Sequence, residues 1–569
     1  MKAPLTALLL ICSLHLTASA RAQTVGGGFD TLHQWAGEAA SNRFGGSVSG
    51  AGDLNGDGYD DIIVGAQLAL SGGAWEAGSA YAYSGADGQL LYHWIGAAGG
   101  DHLGCSVSAA GDVNNDGYDD VIVGASGSAA GGFAGGGSAY VYSGLDGSRL
   151  HQFHGQTGFT YLGDVVSGAG DVNADGFDDV IVGAENADPG GVANAGSVFV
   201  YSGATGALLY QWNGAAASHY LGGAVSGAGD VNGDGYDDLI AGSLGSSLAG
   251  LFWSGAAIVY SGMDGSILHQ FDGTENYANF GWSVSGAEDL NGDGFEDLLI
   301  GANGASPGGI YAAGSVFAYS GSDGQLLLQW DGQATQTEFG REVSNAGDLN
   351  SDGHPDVLIS SQYLDHLGMY RAGSAFAYSG FDGSLIHQWN GSAANDYFGS
   401  SISAAGDTNG DGIPEVIVGA DSSSPGGISG AGGAFVFGFN PYLKANTTTI
   451  SASAGGTLSL DLDFPGEAAA QNYKVLISET GTGPTTYGIA IPLTQDSLVI
   501  DTFFGNYPAP TNNMHGSLDA VGDAAAMLTV PAGSPAALIG RTYYLAAIAN
   551  QAGQLPEYSS AVALITITP

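Results

Sequence analysis

The sequence predicts an all-β protein: a seven-bladed β-propeller of four-stranded blades over residues 28–440, followed by a small β-sandwich over 441–569. Three observations predict it. The stretch "DLNGDGYDD", residues 53–61, returns in close variants beginning at Asp112, Asp171, Asp230, Asp289, Asp348 and Asp407, each 59 residues after the last. Around every copy lie alternating and β-branched runs without a helical period, which read as short strands. Glycine supplies 100 of the 569 residues with no three-residue collagen period, and apolar residues stay plentiful. That composition suits strands separated by regular turns and not a disordered chain.

The elements follow in chain order. Lys2, an apolar run over 5–16 and the small residues of "ASARAQ" predict a signal peptide over 1–22, and hence export. The run is too short to span a bilayer, and no later segment has 18 consecutive apolar residues. The mature chain is therefore expected to carry no transmembrane segment. Cys12 falls within the signal, which leaves Cys105 alone and no internal disulfide.

Each repeat opens on an alternating "LHQW"-type strand, whose seven copies begin at Leu32, Leu91, Leu150, Leu209, Leu268, Leu327 and Ile386. A polar loop leads to Phe or Leu before Gly, as at Phe44-Gly45, and then to a short strand such as "SVSGAG". The acidic loop follows, then a β-branched strand such as "DIIVGA", a variable Gly/Ser-rich segment, and "GSAYAYSG". A two-residue turn such as Asp87-Gly88 returns the chain into the next "LxxW" strand; Thr205-Gly206 is a weaker copy. Asp-Gly between alternating strands is a strong hairpin signal. Four such strands cannot bury both faces alone, so repeating them around a ring gives a propeller. A linear β-solenoid is the alternative, but its repeats are shorter and rarely contain antiparallel hairpins.

The count of strands also predicts how the ring closes. The first "LxxW" strand precedes the first acidic loop, and none follows the seventh. Residues 31–35 are therefore expected to pair with 434–437, joining the first and last repeats and removing an exposed edge. Beyond Pro441 the repeat stops, and "TLSLDLDF", "NYKVLIS", "RTYYLAAIA" and "AVALITIT" alternate as strands of a sandwich.

Charge narrows the partners. Acids number 56 against 9 bases, a formal net charge of −47; loss of Lys2 and Arg21 with the signal leaves 56 against 7, or −49. Repulsion of that size excludes nucleic acid. The acids are also concentrated: 26 of the 56 lie within the seven nine-residue loops. Charge gathered that way asks for a counter-ion.

The loops read D-x-N-x-D-G-x-x-D. Position 1 is Asp53, Asp112, Asp171, Asp230, Asp289, Asp348 and Asp407, and position 3 is Asn55, Asn114, Asn173, Asn232, Asn291, Asn350 and Asn409. Position 5 is Asp57, Asp116, Asp175, Asp234, Asp293, Asp352 and Asp411. Position 7, offering its carbonyl, is Tyr59, Tyr118, Phe177, Tyr236, Phe295, His354 and Ile413. Position 9 is Asp61, Asp120, Asp179, Asp238, Asp297, Asp356 and Glu415. The spacing matches the first nine positions of an EF-hand calcium loop, with glycine at 6 for the sharp turn. At position 12, where an EF-hand needs Glu, stand strand residues such as Val64, so position 9 is expected to complete the coordination. A solvated Asp/Asn/Gly turn would explain one such loop but not seven with positions 1, 3, 5 and 6 unvarying. Up to seven calcium ions are expected, and magnesium is disfavoured because it rarely occupies all-protein oxygen cages.

Phe-Gly, then D-x-N-x-D-G, then Val-Gly-Ala resembles the FG-GAP repeat of the integrin α-subunit N-terminal propeller and its bacterial secreted relatives. The resemblance covers residues 28–440. It implies seven blades with calcium between the first two strands of a blade, and ligands on the opposite face. The sequence departs from the pattern in lacking the "GAP" proline throughout, and in reading Gly242-Ser243 and Ser360-Ser361 in copies four and six. Integrins carry calcium in only some blades, whereas every loop here has the full set of oxygen ligands. No integrin leg, membrane or cytoplasmic region is recognisable, so integrin signalling is not implied.

On the opposite face, Trp75, Phe252, Trp253, Tyr363, Tyr370 and Arg371 of the variable segments are the candidate ligand-binding anchors, being aromatic and guanidinium groups. The residue after Phe-Gly also varies (Gly46, Cys105, Asp164, Gly223, Trp282, Arg341, Ser400) and is placed at the mouth of the central channel. No H-E-x-x-H, P-loop or dinucleotide fingerprint occurs, so no enzyme is expected. His33, His151, His269 and His387 recur at one strand position, which reads as packing between blades. The expected function is that of a secreted or cell-surface, monomeric calcium-binding propeller that engages an extracellular protein or glycan. A carbohydrate-binding propeller is the alternative, and a polysaccharide-acting enzyme a more distant one.

Overall fold

In the computed structural model the described residues are 25–70, 73–247 and 250–441, with the backbone of further strands between 443 and 568. The expected signal peptide lies outside them. The strands form where β-branched residues, which favour the pleated backbone, are densest. Asp61–Ala66 is buried at every position, and so are its six counterparts. A continuous apolar run of this kind requires cover on both faces. The inner strand Ser47–Gly52 is half-buried, and the outer strand Leu90–Ile95 is mostly exposed.

Six antiparallel sheets each take four consecutive strands in chain order, as in Ser47–Gly52, Asp61–Ala66, Ser79–Tyr83 and Leu90–Ile95. The seventh takes Phe398–Gly406, Glu415–Ala420 and Gly433–Pro441 from the far end of the ring and Val25–Ala36 from its start. The register is the expected one: Thr31 opposite Phe437 and Trp35 opposite Ala434, with a bulge between Thr31 and His33. The result is a seven-bladed β-propeller closed by its first strand.

The core lies between blades. One hydrophobic cluster combines Ala51, Leu54 and Trp94 of blade one with Leu103, Val121 and Tyr140 of blade two, and the remaining clusters span seams in the same way. The two glycine signatures of the repeat meet at these seams. A Cβ on Gly65 would lie 2.1 Å from the carbonyl oxygen of Gly104, and one on Gly419 would lie 2.0 Å from that of Gly45. Backbone meets backbone there, so no side chain fits. In blade six Ser360 stands at this position, and its hydroxyl accepts the Glu342 N–H at 3.0 Å.

The "LxxW" tryptophan closes the outer seam. Trp35 stacks on Tyr83 of the following blade at 4.8 Å, Trp94 on Tyr142 at 4.8 Å and Trp212 on Tyr260 at 4.2 Å. Its indole N–H donates to the glycine carbonyl of that blade's Asp-Gly turn: Trp35 to Gly88 at 3.1 Å, Trp330 to Gly383 at 3.0 Å. Trp389, at the seam of blades six and seven, has its Nε1 buried without a partner.

Beyond the ring, Gly456–Asp463 pairs antiparallel with Asp523–Val530, and Asn472–Ser478 with Thr542–Asn550. Three of these four match alternating segments expected as strands, and Asp523–Val530 was not anticipated. The side chains on which a sandwich would depend lie outside the described residues.

Candidate functional site

Antiparallel pairing puts the acidic loops and the Asp-Gly turns at one end of the ring. The variable segments between the second and third strands lie at the other, with the loops between blades. Within each acidic loop the position-1 carboxylate organises the turn. Asp53 Oδ1 accepts the N–H groups of Gly56 at 2.7 Å and Asp57 at 3.1 Å, and Oδ2 accepts that of Gly58 at 2.8 Å. Asp57 accepts the Tyr59 N–H at 3.1 Å. The bonds from positions 5 and 6 recur at Asp112, Asp171, Asp230, Asp289, Asp348 and Asp407, and the position-4 bond recurs where that residue is glycine, at Asp230, Asp289 and Asp407.

Position 9 goes inward. Asp61 is fully buried and accepts the N–H of Leu54 at 3.0 Å and of Gly85 at 3.0 Å, the latter at the start of the next turn in its own blade. The side chain of Asn55 reaches it at 3.2 Å. Burial pushes Asp61 up to about 7, the N–H of Gly85 opposes this, and the charges of Asp57 and Asp53 add to it. Asp120, Asp179, Asp238 and Asp297 are likewise held at about 7, with burial the leading cause in each. Asp356 is raised too, and Glu415 stands at about 7.

Hydrogen bonds thus join positions 3 and 9 in six of the loops, while position 1 closes its own turn. Among the described residues the structure does not converge three or more acidic, histidine or cysteine side chains on one point. The residues still fit a hard divalent cation. A carboxylate offers about four acceptor sites, and the three N–H groups on Asp53 leave one of its four open. In loop two the carbonyl oxygen of the Asn114 side chain, at position 3, is buried with no hydrogen-bond partner. Positive charge beside these acids would offset their burial and mutual repulsion.

Two groups escaped the sequence reading, and a third carries more than the packing expected of it. Position 8 joins neighbouring loops: the Asp119 carboxylate accepts the Asp53 N–H at 2.8 Å, Asp178 that of Asp112 at 2.9 Å, and Asp60 that of Asp407 at 2.7 Å. The signal was present in the acid doublets such as Asp60-Asp61, but Pro355 and Pro414 occupy the position in loops six and seven. Thr408, at position 2 of loop seven, replaces Leu or Val and donates its hydroxyl to Glu415 at 2.8 Å. It partners the longer acid at position 9. The third group is the recurrent histidine position, whose expected packing between blades is a hydrogen bond. His33 Nε2 lies 2.6 Å from the carbonyl oxygen of Gly85, and the N–H of Gly85 holds Asp61. His151 and His269 repeat it at 2.5 and 2.6 Å, and the Tyr92 and Tyr210 hydroxyls replace the imidazole. His387 departs: its Nδ1 is buried without a partner, and burial pushes it down to about 4.

At the opposite end Trp75 is 71% exposed, Phe252 66% and Tyr370 55%, with Trp253 less so. Tyr277 and Tyr311, not anticipated, are exposed on the same rim. Trp253 lies against Tyr220, with ring centres 5.4 Å apart. Tyr363 and Arg371 are half-buried and belong to one cluster, in which the Arg371 guanidinium lies 4.8 Å from the Tyr363 ring and 5.1 Å from that of Tyr370. Of the residues after Phe-Gly, Cys105 donates to the Gly163 carbonyl at 3.3 Å, and Ser400 to that of Gly45 at 3.4 Å, each across a seam. Arg341 lies over Trp282 at 5.2 Å.

Five stretches match the FG-GAP repeat family model: 44–83, 106–142, 163–201, 280–319 and 398–437. Blades four and six, which carry the serine substitutions, are outside these matches yet have the same four strands. The chain is 33% identical to integrin alpha-5 of Xenopus laevis over 183 residues, 29% of this chain and 17% of that protein. It is 31% identical to integrin alpha-V of Gallus gallus over 215 residues, 35% of this chain and 20% of the relative. With integrin alpha-8 of Gallus gallus it shares 30% over 250 residues, 41% and 22% of the two chains. The similarity spans about a fifth of the length of these relatives.

Proposed function

We propose that this integrin-α-like FG-GAP β-propeller is a secreted or cell-surface adhesion module whose blades are stabilised by calcium. Residues 28–440 are its ligand-binding ring, 1–22 its export signal and 441–569 an appended domain. One observation carries the reading: seven loops place the same oxygen set at one end of the ring, each with a fully buried acid at position 9 whose burial raises its pKa. The side chains at positions 1, 3, 5 and 9 and the carbonyl at 7 would hold the ion. Bound calcium supplies positive charge and no reaction. The chain's own contribution is to order the loop, join it to the next through position 8, and leave the far end free for a partner.

The test is metal content and adhesion together. Purified chain equilibrated with calcium should hold up to seven ions, and a variant with Asp230→Asn and Asp234→Asn should hold one fewer. It should also adhere to surfaces coated with extracellular proteins. A chain that binds no calcium removes the metal half of the reading, and one that adheres to nothing removes the other.

One feature favours the carbohydrate alternative. A cavity of about 490 Å³ lies at the seam of blades six and seven, lined by Gln34, Gln388, Asn390 and Ser392 beside Phe435 and Phe437. Amides, hydroxyls and the Asp396 carboxylate around aromatic rings suit a sugar. Binding on a glycan array that Gln388→Ala abolishes would establish this reading.

A further inference from the structure

The described residues include four arginines, and two of them are ion-paired. Arg43 faces Asp421 at 3.8 Å, Arg341 is ion-paired with Glu338 at 2.8 Å, and Arg149 sits over Tyr140 on the outer strand Arg149–His154. Arg371, unpaired among the described residues like Arg149, differs in standing among several tyrosines in a variable segment at the opposite end from the acidic loops. Its guanidinium lies over Tyr363 at 4.8 Å and Tyr370 at 5.1 Å, and the Tyr397 side chain hydrogen-bonds it. Among the described residues no carboxylate pairs with it, although the chain carries 56 acids against 9 bases. Asp365 is the nearest candidate by sequence, and its carboxylate is committed to the Arg371 backbone N–H at 2.7 Å.

The surroundings make this a fixed group. Tyr363 meets Tyr397 edge-on at 5.6 Å, and the Arg341 guanidinium also lies 5.6 Å from the Tyr363 ring. The backbone N–H of Tyr397 donates to the Arg371 carbonyl, which ties the loop between blades to the variable segment. A guanidinium held by rings has lost much of its rotamer freedom before any partner arrives, so less entropy is lost on binding. Its N–H edge remains a planar fork suited to a carboxylate.

We infer that Arg371, framed by Tyr363, Tyr370 and Tyr397, is a recognition site for a single carboxylate side chain, Asp or Glu, presented by a protein partner. The chain's charge decides against an acidic polysaccharide: a polyanion would be repelled by a surface of net −47. One acid on an otherwise neutral or basic partner is attracted instead, and its wrong-charge competitors are rejected. Tyr and Arg are also the side chains that most often anchor protein interfaces. This rests on the adhesion reading above and names the chemistry of its ligand.

The experiment uses the full mature chain and immobilised Gly/Ser/Lys peptides that carry one Asp, with matched peptides carrying Asn. Wild type should retain the Asp peptides at least tenfold more strongly. Arg371→Gln should bring that ratio to about one with an unchanged melting temperature, and Arg149→Gln should leave it intact. A ratio of one in wild type, or a ratio that survives Arg371→Gln, overturns the inference. So does binding of an acidic oligosaccharide, without peptide discrimination, that Arg371→Gln abolishes. If wild type still adheres to protein-coated surfaces in any of those cases, the adhesion reading stands and only this site fails.

Discussion

At the scale of single residues, what the sequence made legible was donor chemistry, and what it hid was direction. Asp53 and Asp61 both read as oxygen ligands, yet one caps its own turn at the surface while the other is buried beneath it. Nothing in D-x-N-x-D-G-x-x-D distinguishes them, because the difference comes from the strand that position 9 begins. Thr408 was invisible for a related reason, since its role appears only once Glu415 is placed against it. Burial also sets up a pH effect away from the loops. Glu342, on the inner side of blade six, is pushed up to about 7 by burial, and the nearby Arg341 charge only partly opposes this. The folded chain then holds this proton more tightly than the unfolded one, so stability falls as pH rises from about 4.5 to 7. Glu342→Gln removes the penalty. The full shift corresponds to about 3 kcal/mol; Glu342 is only partly buried, and solvent screening reduces this to about 1 kcal/mol. The variant should melt about 2 °C above wild type at pH 8 and level with it at pH 4, by scanning calorimetry. Equal melting at both pH values would show that the carboxylate is solvated and unstrained.

At the scale of elements, strand order and closure were legible because the repeat has a fixed length. A missing eighth "LxxW" strand has one physical solution, and Thr31 does pair with Phe437. The glycines were legible as turn residues only. Their role at the seams, where Gly65 approaches Gly104 through backbone alone, is a property of two blades and no single unit encodes it. The same strand gives the element-scale prediction. Val25–Ala36 supplies the outer edge of blade seven, the Trp35 ring stacked on Tyr83, and the indole bond to Gly88. Deleting residues 30–37 would expose the Gly433–Pro441 edge and open the seam to blade one. An unpaired edge of this kind templates association between chains. The deletion should aggregate or melt well below the intact protein, as read by light scattering and circular dichroism. A monomeric product with unchanged melting would mean the ring is held by its six other seams.

For the whole molecule, the central quantity is charge gathered at one end of a ring that has no disulfide among the described residues. Removal of residues 1–22 as the proposed signal would leave 56 acids against 7 bases, or −49, and seven calcium ions adding 14 charges would bring this to −35. The position-8 contacts make the loops a connected circuit through most of the ring, since Asp60 serves loop seven and Asp119 serves loop one. Loss of the ions is therefore expected to loosen neighbouring blades together. Extracellular calcium modules bind at roughly 0.1–1 mM. At about one hundred times the dissociation constant, a site that exists only in the folded chain contributes about 2.7 kcal/mol. Two or three such sites already rival the roughly 5–15 kcal/mol that separates a folded domain from its unfolded state. Chelation should accordingly lower the melting temperature by tens of degrees, and magnesium, which demands a tighter octahedron and keeps its waters, should restore little of it. Loop seven should release its ion first, because Glu415 is already engaged by Thr408 and Asn409 and no Asp-Gly turn follows to anchor it. Melting followed across a calcium titration, with the Glu415→Asp and Thr408→Val pair beside wild type, measures both effects. A melting curve indifferent to chelator would remove calcium from the account of this fold, whereas seven indistinguishable affinities would remove only the order of release.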